Sequence, residues 1–189
     1  MDALALLELS SVARGYRTLD ALVKESPVSI VEANLIEPGR FLILYGGGVA
    51  EVDAAHAVGR QVAAECLVDE VLLPGVDPRV WTGIAGVFDT GEFDTVGVIE
   101  GSSIAAVLEA CDRAIKNASV SLTGLRVERG LGGKGFFVVD GEQFDVEAAV
   151  EVAVAVLTAR SRLVRAEVIA RPHPDFLVHV LRPAPFGAR

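Results

Sequence analysis

Ala5-Leu6-Leu7-Glu8-Leu9-Ser10-Ser11 and Val96-Gly97-Val98-Ile99-Glu100-Gly101-Ser102-Ser103 decide the fold of this chain, because they are one element written twice. Glu8 falls on Glu100 and Ser11 on Ser103 at a shift of 92 residues. The same shift lays Asp20-Ala21-Leu22-Val23-Lys24 over Asp112-Arg113-Ala114-Ile115-Lys116. Further on the shift becomes 94, with Gly47 on Gly141 and Val52-Asp53-Ala54-Ala55 on Val146-Glu147-Ala148-Ala149. At the ends, Val71-Leu72-Leu73-Pro74 is read against Ile169-Ala170-Arg171-Pro172. Few residues are identical, but their order is kept along the whole length, which is the mark of an internal duplication.

Each half predicts the same order of elements. A strand (3–9; 95–100) enters a helix (12–24; 104–116), with Ser10/Ser11 and Ser102/Ser103 as N-caps. In the second helix Ala105, Leu108, Cys111, Ala114 and Ile115 make a stripe of helical period. A strand follows (28–36; 120–128), then a polar loop, then a returning strand (41–45; 136–139). Gly46-Gly47-Gly48 or Asp140-Gly141 turns the chain into a second helix (49–66; 144–159), and a last strand closes each half (68–73; 163–170). The order βαββαβ predicts an α+β fold: two tandem split-βαβ, ferredoxin-like domains, each an antiparallel sheet with two helices on one face. The expected domains are residues 1–90 and 91–189. Pro74 to Pro78 is a turn, residues 79–87 one short helix, and Phe88 to Glu92 a polar linker. The Pro-rich tail from Arg171 should lack long regular structure.

The chain has 189 residues, 51% of them apolar, and a mean hydropathy of +0.45. No apolar run approaches the roughly 20 residues of a spanning helix. Ala3 to Leu9 reads as a strand and not as a signal peptide, since no basic segment precedes it. Burial by oligomerisation is the favoured explanation of the apolar content, and no membrane association is expected. Net charge is −9, which disfavours nucleic acid as a partner. Cys66 and Cys111 stand alone and read as small buried residues. The residues suggest no metal site and no cofactor.

Chemistry is sparse. Gly46-Gly47-Gly48 lacks the Lys-Ser/Thr of a P-loop and the GxGxxG spacing, so it reads as a turn. Gly130 to Gly135 is glycine-rich enough to line an anion site, but it joins two strands and not a strand and a helix. Glu8 and Glu100 occupy equivalent strand ends and read as structural carboxylates, accepting backbone N–H groups at the strand-to-helix turn. No nucleophile or acid–base constellation stands out, so no enzyme is expected. A trimeric regulator binding a small anion in the glycine loops is the alternative reading.

Taken together these residues resemble bacterial microcompartment shell domains, and the whole chain resembles tandem-domain, trimer-forming shell proteins in the non-permuted order. The marks in the first half are Leu7-Glu8-Leu9-Ser10-Ser11-Val12-Ala13-Arg14-Gly15, Pro38-Gly39-Arg40-Phe41-Leu42 and Leu67-Val68-Asp69-Glu70-Val71-Leu72-Leu73-Pro74. In the second they are Val98-Ile99-Glu100, Gly132-Gly133-Lys134-Gly135 and Ile169-Ala170-Arg171-Pro172-His173. The resemblance implies a homotrimer that forms a pseudohexameric disc, tiles with other shell proteins, and encloses enzymes inside an organelle within the cytoplasm. Encapsulated enzymes are then candidate partners. It also implies a central pore, for small metabolites or cations, lined by Ile36, Glu37, Pro38 and Gly39 from one half and by Arg129, Gly130, Leu131, Gly132 and Gly133 from the other. Its edge residues fall on Lys24, Lys116, Arg171 and His173. The first half has no Arg or His after Pro74, a departure at that edge. Some tandem members carry a cluster-ligating cysteine just before the Pro-Gly of the first loop; here Glu37 stands there, so the resemblance implies no iron–sulfur cluster.

Overall fold

A computed structural model describes residues 1–88, 94–127 and 130–180. Most of the expected linker, Glu128, Arg129 and the tail from residue 181 lie outside the described residues. The chain divides into two compact units, Met1–Val76 and Asp77–Arg189.

The first unit contains β1 (Ala3–Leu9), α1 (Val12–Glu25), β2 (Ser29–Ile36), β3 (Arg40–Gly47), α2 (Val49–Ala63), a short 3-10 turn at Ala64–Cys66, and β4 (Leu67–Pro74). Its sheet has the order β2-β3-β1-β4, with every neighbouring pair antiparallel. This is the split-βαβ arrangement, β3 lying between β1 and β2. β1 is buried at every position, as a central strand with an almost unbroken apolar run should be. Ser11 caps α1, its hydroxyl accepting from the Arg14 N–H at 3.3 Å. Helix and sheet touch closely at Gly15, where any Cβ would collide with the Phe41 ring. Leu7, Leu9, Leu22, Phe41, Ile43 and Val52 form the centre of the core.

The second unit opens with α3 (Pro78–Ile84) and repeats the pattern: β5 (Thr95–Gly101), α4 (Ile104–Asn117), β6 (Ser121–Arg126), β7 (Gly135–Gly141), α5 (Gln143–Ala159) and β8 (Leu163–Ala170), then α6 (Pro174–Val180). Its sheet order is β6-β7-β5-β8. The repeat extends to irregularities. Register slips between Ile30 and Glu32 and between Leu122 and Gly124, and again between Glu8 and Leu9 and between Glu100 and Gly101.

Two features differ from the expectation. First, α3 packs with the second unit, so the compact units divide after Val76 and not near residue 90. The reason is polar. Asp77 N–H donates to Asp112 at 2.8 Å, and the Asp77 carboxylate caps α3 through the Arg79 N–H at 2.9 Å. The Arg79 guanidinium donates to the carbonyls of Ile115 (2.7 Å) and Val120 (2.8 Å) and to Asp77 at 2.9 Å. Ile115 lies in the last turn of α4, whose carbonyls lack helical donors. The hydrogen bond from Arg79 holds the Asp77 carboxyl below the usual range. Second, the last strands align at a shift of 96, because Leu6 faces Val71 while its counterpart Val98 faces Glu167. Val71–Pro74 therefore answers Glu167–Ala170, two residues away from the expected match. Buried Ala63, the end of α2, matches buried Leu157, and α5 runs on to Ala159, which supplies the two extra residues.

The cores have diverged at one place. In the first unit the Tyr45 hydroxyl is 2.8 Å from His56 Nδ1, and His56 Nε2 is 3.3 Å from Glu70, which Arg60 contacts at 2.8 Å. The equivalent positions in the second unit are Val139, Val150, Val154 and Ala166, with Gly97 leaving room for Val139 and Val150. Burial, with Arg60 nearby, lowers the His56 pKa to about 4, against the pull of Asp53. Burial, then Glu70, pushes the Tyr45 phenol up. The folded state thus keeps His56 neutral where the unfolded chain binds a proton. The stability this confers is complete above about pH 6.5 and is lost as the pH falls toward about 4. Urea unfolding at fixed protein concentration should lose up to about 1.4 kcal/mol per pH unit across that window through this residue. A Tyr45→Phe/His56→Leu variant should lose that component of the slope, and an unchanged slope would refute the assignment.

Candidate functional site: the two hairpin turns and the unit edges

The first hairpin turn is Glu37-Pro38-Gly39, closed by Ile36 facing Arg40. All three turn residues are exposed, and the Glu37–Pro38 peptide bond is cis. Ile36 is buried (3% exposed), so it offers the turn its backbone and not its side chain. In the second turn Gly130 and Gly132 are exposed, Leu131 is half-buried and Gly133 buried, while Lys134 N–H donates to Leu131 O at 3.2 Å. Arg129 lies outside the described residues. Gly39 has φ +79° and Gly132 φ +64°, and a Cβ at either would meet nothing within 4 Å. Backbone conformation, and not crowding, therefore calls for glycine at both.

Beneath each turn lies an ion pair that sequence reading did not find. Glu8, wholly buried in β1, is 3.3 Å from Arg40, the first residue of β3. Glu100 in β5 is 3.0 Å from Lys134. In register, Glu8 faces Leu42 and Glu100 faces Phe136, so each cation stands two residues before its carboxylate's strand partner. The equivalence of Glu8 and Glu100 was legible. Their partners were not, because the contact joins strands distant in sequence; the role is charge pairing with a side chain, not the expected acceptance of backbone N–H groups alone. Arg40 is thereby engaged at the base of its turn.

The edge residues also pair off by repeat. Lys24 and Lys116 contact Asp20 and Asp112, each at 2.6 Å and one helical turn away. Lys24 is 71% exposed, and Lys116 is half as exposed because Asp112 is buried beside Asp77. Arg171 is exposed, with φ +50°, and its N–H donates to Asp94 O at 2.7 Å. His173, exposed, accepts the Asp175 N–H on Nδ1 at 3.2 Å. Cys66 lies in the turn after α2 and Cys111 inside α4. Burial pushes the Cys111 thiol up, aided by Asp112, so it is no ready thiolate.

Two split-βαβ units in tandem, each presenting a polar turn over a strand carboxylate and a lysine at matching helix positions, define a duplicated α+β protein. The family model of the BMC domain matches it twice, at residues 3–76 and 95–172. The chain is 38% identical to the bacterial microcompartment shell protein PduT of Citrobacter freundii over 91% of its own length and 94% of that protein's. It is 32% identical to the shell protein PduK of the same organism, over 47% of this chain and 56% of that one. A crystal structure of a microcompartment protein from Desulfitobacterium hafniense superposes with a TM-score of 0.83 at 35% identity, over 95% of this chain and 99% of the other. A fused permuted hexameric shell protein from the RMM microcompartment shares the fold (TM-score 0.64, 16% identity, 84% and 85% covered). The chain belongs to the BMC domain family. It is a tandem-domain structural shell protein of bacterial microcompartments and not an enzyme.

The two ion pairs should differ in worth. Arg40→Ala removes the cation beside a fully buried carboxylate and should cost on the order of 3 kcal/mol. Lys134→Ala removes a pair whose members are 50% and 35% exposed, and should cost under about 1 kcal/mol. Thermal unfolding of both variants checks the ranking; equal losses would contradict it.

Proposed function

We propose that three copies of the chain form a pseudohexameric disc whose turns 36–39 and 129–133 surround a central pore for small metabolites or cations. The disc tiles with other shell proteins into the facets of the compartment, enclosing its enzymes. The family is one of shell proteins that assemble with one another, which supports the tiling. The observation that carries the pore is the paired exposure of Glu37-Pro38-Gly39 and of Gly130 and Gly132 at equivalent hairpin turns.

Glu37 sets the charge of the first turn. Repeated around a threefold axis, it makes a negative ring, and such rings favour cations over anions. Glycines in the second turn offer backbone groups to polar solutes and narrow the opening little. Lys24, Lys116, Arg171 and His173 are then the contacts between neighbouring discs, with the first-unit edge differing from the second because it has no Arg or His after Pro74.

Light scattering on the purified chain should give three times 19.9 kDa; a stable monomer would overturn the assembly. In planar-bilayer recordings of assembled discs, Glu37→Gln should lower cation-over-anion selectivity severalfold. Unchanged selectivity would remove Glu37 from the pore.

A further inference from the structure

The repeat runs past the last strands. At the shift of 96 set by β4 and β8, α3 (Pro78–Ile84) matches α6 (Pro174–Val180) residue for residue. Their first turns are built alike. Asp77 accepts the Arg79 N–H on its side chain and the Val80 N–H on its carbonyl; His173 does the same for Asp175 and Phe176. Yet among the described residues only α3 shows a receiving surface within its own unit. It is docked on α4 and β6, with Arg79 on the Ile115 and Val120 carbonyls and Gly83 against Leu122 and Leu125.

The same receiving surface exists on the first unit, built from α1 and β2. At the shift of 92 Val23 matches Ile115, and by strand register Ile30 matches Leu122 and Ala33 matches Leu125. Where Ile115 and Leu122 are each 2% exposed, Val23 is 42% and Ile30 37% exposed. On α6, Phe176 and Leu177 are only half-buried, whereas Val80, the α3 counterpart of Phe176, is fully buried. Among the described residues, one helix has no seat in its unit and one seat has no helix.

We propose that α6 of one copy docks on the α1–β2 face of the next copy, in the place α3 takes on α4 and β6. This rests on the trimer proposed above and names the contact that closes it head to tail. Two side-chain exchanges match the assignment. A Cβ on Gly83 would stand 3.1 Å from Leu122 and 3.2 Å from Leu125, tighter than ordinary contact. Its α6 counterpart is His179, and the facing residue on the first unit is the smaller Ala33, which makes the room. Arg79 is replaced by Asp175, so no guanidinium is brought to the receiving helix, and Asp20 there matches Asp112, the acceptor of the Asp77 N–H.

The docked α3 gives the test its geometry: a Cβ on Gly83 lies 3.4 Å from the Leu125 Cβ, close to the separation a disulfide spans. Cysteines at the matching positions, A33C and H179C in a C66S background, should join copies on oxidation. A non-reducing gel should then show bands at two and three times the chain mass, with light scattering still reporting a trimer. A trimer that yields only monomer-mass bands overturns the docking and leaves the trimer standing. A monomer by scattering, for the unmodified chain, overturns both. As an independent check, Ile30→Asp puts a charge on the seat at a position that is 37% exposed. It should raise the concentration at which the trimer dissociates at least tenfold, and no change would likewise overturn the docking.

Discussion

A fully buried carboxylate is the constraint on which the first unit turns. Glu8 sits in the central strand, between two antiparallel neighbours, at zero exposure. An ionised carboxylate there is tolerable only with a partner. Arg40 supplies one at 3.3 Å and thereby fixes where β3 begins. With Ile36 buried on the other side, the three residues between them are forced outward as a turn. The polar tip is thus a consequence of a charge inside the sheet. Glu100 and Lys134 repeat the device in a wetter setting, which explains why lysine suffices there, while a buried carboxylate is matched by the multiple donors of a guanidinium.

The duplicated units keep their backbone and spend their differences elsewhere. Tyr45, His56, Arg60 and Glu70 form a polar chain in the first unit, and valines with one alanine occupy the same places in the second. An apolar filling is pH-indifferent, whereas a buried neutral histidine makes its unit sensitive to acid. Each set is internally consistent. Gly97 in β5 admits the valines, and Ala5 stands opposite Tyr45 in β1. Replacing only one of the buried pair Tyr45 and His56 would take a hydrogen-bond partner from the other, so these two positions are coupled.

Most of the fold was legible because it is written in local terms. Serine caps, continuous apolar strands and glycine turns each act within a few residues, and their recurrence revealed the duplication. What escaped was set by distance. The last-strand match on the two prolines needs a shift of 98, but α5 is longer than α2 by two residues and not four, so the strands align at 96, and helix length is not announced by any local signal. The ion pairs under the turns join β1 to β3 and β5 to β7, and no short spacing announces them. The union of α3 with the second unit rests on Arg79 reaching carbonyls 36 and 41 residues away. Among the site residues, Glu37 and the glycines were legible as turn chemistry. Ile36 was legible as part of the turn, but its burial depends on the register of β2 against β3.

Fusion of two units in one chain alters the physics of a symmetric ring. In an assembly of identical domains every charge at the axis appears as many times as there are domains. In the trimer proposed above, Glu37 recurs only once per chain, and its place in the alternate units is taken by glycine-rich sequence. Halving the number of like charges around a ring removes more than half of their pairwise repulsions and widens the spacing of those that remain. Arg40 and Lys134, the cations at the bases of the turns, are each engaged by a strand carboxylate of their own unit. Internal pairing at the bases thus leaves the sign of the tip to the turn itself. A duplicated chain can place a charge at the axis and vary it in one half without disturbing the frame of the other.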